Sequence, residues 1–154
     1  MTPTLQRGEA LLLAGIRQTH GFAEAPRDIP LQWQAFQQLT GMPPRRNGVN
    51  YGAVCATNTR TQTIEYMCAM EVGDFTGLPA HIGRMRVPEQ NYAVFTHHGH
   101  VSEIRDTWAA IWSSWLPASG MTIADTPDFE RYDEAFDPHT GRGGISIWLP
   151  VASV

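Results

Sequence analysis

A chain of 154 residues, 42% hydrophobic and 17% charged, has the size and composition of one globular domain, not of a disordered segment. Its formal charge of −4 offers no general attraction to a polyanion, so direct nucleic-acid binding is not expected. All 11 Lys+Arg positions are arginine, which excludes Schiff-base chemistry through a lysine of this chain.

The segment from Met1 to Glu9 lacks the basic start and long apolar run of a signal peptide. The longest apolar stretch, Ala10 to Ile16, is too short to cross a bilayer. A cytoplasmic protein with no membrane partner is therefore expected. Cys55 and Cys68 fit a reducing compartment and read as small buried apolar residues. Residues 9–20 read as a strand. The loop GFAEAPRDIP leads into a helix over LQWQAFQQLT. Asp28 is expected to cap it and Pro30 to sit in its first turn, with Ile29, Trp33, Phe36 and Thr40 on one side. Gly41 and Pro43-Pro44 stop it. Strands over 50–57 and 63–72 follow, joined by a polar turn from Asn58 to Gln62. In the second of these, Tyr66, Cys68 and Met70 alternate with Met67 and Ala69, so both faces are apolar and both should be covered.

The order then repeats. Residues 84–97 read as a strand kinked near Pro88. A helix over 102–116 opens at Ser102 and closes before Pro117. Residues 128–136 read as a strand, DPHTGRGG as a turn, and 145–152 as the last strand. Two strand-helix-strand-strand units, at about 8–73 and 84–152, predict a single α+β domain with a mostly antiparallel sheet and two main helices. Ile104, Trp108, Ile111, Trp112 and Trp115 make an apolar stripe on the second helix, which holds three of the five tryptophans. Such a stripe reads first as core packing, and three bulky indoles together also suit the wall of a cavity for a flat aromatic or amphipathic ligand. His97, His98 and His100 lack Cys or carboxylate partners at metal-ligand spacing. No zinc-protease, nucleophile-elbow, Walker or dinucleotide motif is present. No metal and no cofactor are expected.

The phrase YAVFTHHGHVSEIRDTWAAIWSSWLPASG, with DTPDFERYDEAFDP, IWLPV, YGAVCAT and IEYMCAMEV, resembles the gyrase-inhibitor-like (GyrI-like) family. That family is similar to the effector-binding domain of many AraC-type and MerR-type multidrug-responsive regulators. The resemblance runs from about residue 8 to 152. It implies a duplicated strand-helix-strand-strand fold with a saddle-shaped sheet. It also implies a cleft for hydrophobic, often cationic, drug-like molecules, in which aromatic rings sandwich the ligand and a glutamate on the last strand attracts its charge. Here the sequence departs from the pattern. The glutamate position is Ser146, and Met121 stands where tyrosine is usual. Either neutral ligands are preferred, or another acid serves, or the position has been engineered. Glu71, Glu130 and Glu134 are the acids to inspect, each expected on the solvated surface.

The ligand-binding residues expected from residue type and resemblance together are Trp33, Phe36, Tyr51, Met67, Glu71, Trp112, Trp115, Met121, Ser146 and Trp148. The chain starts almost at the first expected strand, so no helix-turn-helix segment is expected. The resulting reading is a stand-alone domain that sequesters or senses aromatic, amphipathic compounds, cations among them. Two alternatives stay open. One is hydrolysis of cyclopropane-containing toxins, with Tyr51, Tyr66, Glu71 or Tyr132 handling a proton. The other is a protein-interaction module of the gyrase-inhibitor type. Nothing in the sequence assigns an oligomeric state.

Overall fold

The computed structural model describes residues 1–152. The chain is α+β. It divides into two compact units, one from Leu11 to Val87 and the other formed by Met1–Ala10 together with the chain from Pro88 onward.

In the first unit the strands are β2 (Leu11–Gly21), β3 (Asn50–Asn58), β4 (Thr63–Glu71) and β5 (Gly83–Val87). They pair antiparallel in the order β3-β4-β2-β5. Helix α1 (Ala25–Gln37) begins three residues before the expected cap. Glu24 occupies the cap without a side-chain bond, Pro26 lies in the first turn, and Asp28 serves as a first-turn acid instead. Thr40 lies beyond the helix and is exposed. One face of the sheet presents Ala14, Tyr66, Cys68 and Met70 to Phe36, with Ile29 and Trp33 packed alongside. The helix also buries a polar residue on that face. The Gln32 amide donates to the carbonyls of Ile16 (3.0 Å) and Tyr66 (2.9 Å), and its oxygen lies 2.6 Å from His20 Nε2. Because the amide nitrogen is spent on two carbonyls, His20 Nε2 is the donor.

β4 is apolar on both faces, as the alternation requires. Tyr66, Met67, Cys68, Ala69 and Met70 are all buried. Cys55 sits at a register shift between Val54 and Ala56 of β3, while Cys68 pairs with Gly52.

The second unit repeats the order of ladders. Its strands are β1 (Thr4–Gly8), β6 (Gln90–Thr96), β8 (Asp128–Tyr132) and β9 (Ile145–Ala152), with the short β7 (Thr122–Ile123) beside the end of β9. They pair antiparallel as β1-β6-β9-β8. The strand expected over 9–20 is β2, and β1 precedes it outside the expected range. The strand expected over 84–97 is two strands, β5 and β6, which pair with β2 and β1 respectively; the break falls at Pro88, which has no ladder N–H to give.

The second helix runs from Val101 to Ser119 in four stretches. A 3₁₀ turn, Val101–Glu103, leads into α2, Ile104–Ala110, then a π-helical turn, Ile111–Trp115, and a last turn, α3, Leu116–Ser119. Its cap is not Ser102 but His100, whose Nδ1 accepts from Ser102 N at 3.1 Å. Pro117 does not end the helix. The wider turn, closed by Leu116 N–H onto Ile111 O, absorbs the proline that a regular α-turn would reject. Ile104, Trp108, Ile111 and Trp115 pack on the core residues Ala93, Phe95, Ile147 and Leu149, whereas Trp112 is 44% exposed.

Candidate functional site

Alternation along β8 and β9 sorts this sheet into two surfaces. Ile147 and Leu149 lie under the helix, so Ser146 and Trp148 face away from it. The ladder pairs Phe129 with Trp148 and Arg131 with Ser146, and pairs Glu130 with Ile147 and Tyr132 with Ile145. Phe129, Arg131, Ser146 and Trp148 therefore share the outer face, and Glu130 and Tyr132 the helix face.

The helix face holds a buried acid. Glu130, expected at the surface, is 6% exposed. Its Oε2 accepts the Trp108 indole N–H at 2.9 Å and its Oε1 accepts the Tyr132 hydroxyl at 2.8 Å. A carboxylate leaves water only where donors replace its hydration, and the indole and the phenol do so here. Glu130→Leu leaves the partly buried indole and the buried phenol without this acceptor and is expected to lower unfolding stability by roughly 2–4 kcal/mol. Glu130→Gln, whose amide offers an oxygen to Trp108 and an N–H to the Tyr132 oxygen, should lose less than half as much. Urea titration of the two variants checks this, and equal losses would mean the pair of donors is not the reason for the burial. Of the other two acids inspected, Glu134 is exposed, and Glu71 is engaged by Asn47 Nδ2 at 3.1 Å and Arg46 Nε at 3.4 Å.

The outer face carries an aromatic cluster. Phe129 and Trp148 stack with centroids 5.7 Å apart and planes 17° from parallel. Tyr92 meets both edge-on, at 5.5 Å from Phe129 and 5.3 Å from Trp148. Phe129 and Tyr92 are buried, while Trp148, Ser146 and Arg131 stay partly open to solvent. Trp148 Nε1 donates to Ser146 Oγ at 3.0 Å, which pins the indole against its own strand. Gly8 of β1 leaves space for the Tyr92 ring, since a Cβ there would stand 2.6 Å from it.

The ten expected ligand residues do not form one wall within either unit. Trp33 and Phe36 meet edge-on at 5.6 Å on the α1 side of the first sheet. Tyr51, Met67 and Glu71 point to the other side of that sheet, by their register with Ala69, Ala53 and Leu13. In the second unit Trp115 packs edge-on to Phe95 at 4.8 Å, and Met121 joins that core, both under the helix. Trp112 is exposed, and Ser146 and Trp148 lie on the outer face. Tyr92, Phe129 and Arg131, on the same face as Trp148, were not among the expected ligand residues, and Glu130 was named only as an acid to inspect. The signal was present in DFERY, whose alternation follows once its pairing with β9 is known. His97 is buried, with Nδ1 2.8 Å from Thr107 Oγ1 and Nε2 2.8 Å from the His100 carbonyl. Among the described residues no three His, Cys, Asp or Glu side chains converge as a metal site, and no helix is long and apolar enough to cross a membrane.

The family model of the GyrI-like small molecule binding domain matches residues 1–152. The chain belongs to the GyrI-like family. Among curated relatives, this GyrI-like domain is 31% identical to the transcriptional regulator BrlR of Pseudomonas aeruginosa over 136 residues, covering 84% of this chain and 49% of BrlR. It is 29% identical to a DNA gyrase inhibitor of Erwinia billingiae over 66 residues, covering 43% of this chain and 42% of that protein. The chain thus spans about half the length of the curated relatives it matches or less. Among solved structures, SAV2435 bound to tetraphenylphosphonium superposes with a TM-score of 0.71 at 21% identity, covering 99% of this chain and 94% of that one. At that identity the likeness establishes the fold. The GyrI-like domain is thereby a small-molecule-binding domain related to the ligand-binding domains of regulators.

Proposed function

We propose that this chain binds flat aromatic, amphipathic small molecules and acts by sequestering or sensing them in the cytoplasm. The observation that supports this most is the stacked Phe129–Trp148 pair, with Tyr92 edge-on behind it and Trp148 partly open. A flat ring gains both area burial and ring–ring contact on such a surface, and a rigid backing means little ordering cost. The ligand of SAV2435, tetraphenylphosphonium, is a tetrahedral aromatic cation, each of whose phenyl rings is flat.

Titration calorimetry with tetraphenylphosphonium and with naphthalene derivatives tests the reading. Saturable binding in the micromolar range is expected, with Trp148→Leu weakening it by about threefold to tenfold. Unchanged affinity in that variant would place the ligand elsewhere on the chain. The buried phenol–carboxylate pair of Tyr132 and Glu130 favours a second reading, hydrolytic opening of strained rings, because it couples a proton donor to an acceptor. Incubation with a cyclopropane-bearing aromatic toxin separates the two. A product heavier by one water supports hydrolysis, and intact ligand supports binding alone.

A further inference from the structure

The aromatic face of the second unit also carries a charge. Arg131 follows the buried Glu130 on β8 and points the opposite way. It stands directly across the ladder from Ser146, and its guanidinium carbon lies 5.9 Å from the centre of the Trp148 ring. The side chain is half-buried. Among the described residues no carboxylate pairs with it and no acceptor takes its N–H groups. The hydroxyl of its ladder partner, Ser146 Oγ, is already engaged by the Trp148 indole.

A guanidinium offers five donors in a fixed plane and matches the two oxygens of a carboxylate or sulfonate. Placed over an indole and partly withdrawn from water, it is positioned before any ligand arrives, and its attraction for an anion is screened less than at an open surface. A glutamate at position 146 would face Arg131 across the ladder and neutralise it. Serine leaves the positive charge standing. A cation stacked on Trp148 would meet a like charge, whereas an anion attached to the same ring would receive the fork.

Resting on the binding function proposed above, we propose that the preferred ligands are aromatic anions, flat rings bearing a carboxylate or sulfonate. The ring lies against Trp148 and the anionic group is taken by Arg131.

Calorimetry on the full chain with three ligands of one ring system tests this: naphthoate, naphthamide and naphthyl-trimethylammonium, at physiological ionic strength. Naphthoate should bind at least about tenfold tighter than the cation. Arg131→Gln should abolish that preference, and Arg131→Lys should keep part of it. Ser146→Glu should weaken naphthoate by at least about tenfold, because the new carboxylate takes the guanidinium. The inference is overturned if the cation binds the native chain as tightly as naphthoate, or if Arg131→Gln keeps the anion preference. Binding of naphthamide with no effect of charge overturns this inference alone. Failure of all three to bind the native chain overturns the binding function and the inference with it.

Discussion

Valine at Gly15 will prevent the β2–β4 ladder from closing, and Gly15→Val will unfold at far lower urea than the parent chain. A Cβ at Gly15 would stand 1.8 Å from the Cys68 carbonyl oxygen and 2.8 Å from Ala69 Cα. Both are backbone atoms, so no side-chain rotation relieves the clash. Gly15 pairs with Ala69 on one side and with Gly83 on the other, so β2 has no free edge toward which to move. Overpacking costs roughly 1–3 kcal/mol where side chains yield, and more where backbone must shift, so a loss above about 4 kcal/mol is expected. Gly73→Ala is the control, since a Cβ there meets nothing within 4 Å. A Gly15→Val midpoint equal to that of the parent would contradict the close approach of the two strands.

Stability will also fall as the pH rises from mildly acidic to neutral, because of Asp128. Burial pushes its carboxyl up from 3.8 to about 7, against an opposing backbone hydrogen bond and with help from the Glu130 carboxylate. The folded pKa lies above the unfolded one, so between the two the folded chain holds more protons than the unfolded chain. The stabilisation is full below about pH 4, is lost as the pH rises through about 7, and is flat above it. A difference of about three units corresponds to about 4 kcal/mol at most. Asp128→Asn, uncharged at every pH, should flatten the slope and be more stable than the parent at about pH 8. Urea unfolding at about pH 5 and about pH 8 on both proteins measures it. Parallel slopes for parent and variant would remove Asp128 as the cause.

The strands that alternate cleanly were legible from residue types alone. β3, β4 and β9 lie within a residue or two of their expected bounds, because an apolar run between turn residues has few other solutions. β1 was not legible: TLQRG is polar, and only pairing with β6 makes it a strand. The site was read less well than the fold, for two physical reasons. Polar residues are assigned to the surface by default, so Gln32, His20 and Glu130 were invisible as buried groups. Their burial depends on partners far away in sequence, such as Trp108 for Glu130. Strand parity was the second obstacle. Without the β8–β9 register, Trp148 cannot be placed on the same side as Phe129 and the opposite side from Trp115.

The origin of β1 has a consequence for synthesis. Thr4–Gly8 is made before its ladder partner Gln90–Thr96, with the whole of Leu11–Val87 made in between. The pairs among β2, β3, β4 and β5 can therefore form during translation while β1 waits unpaired, with Leu5 in solvent. The late step is a long-range closure, from Thr4 to Val94, and that is the slow kind.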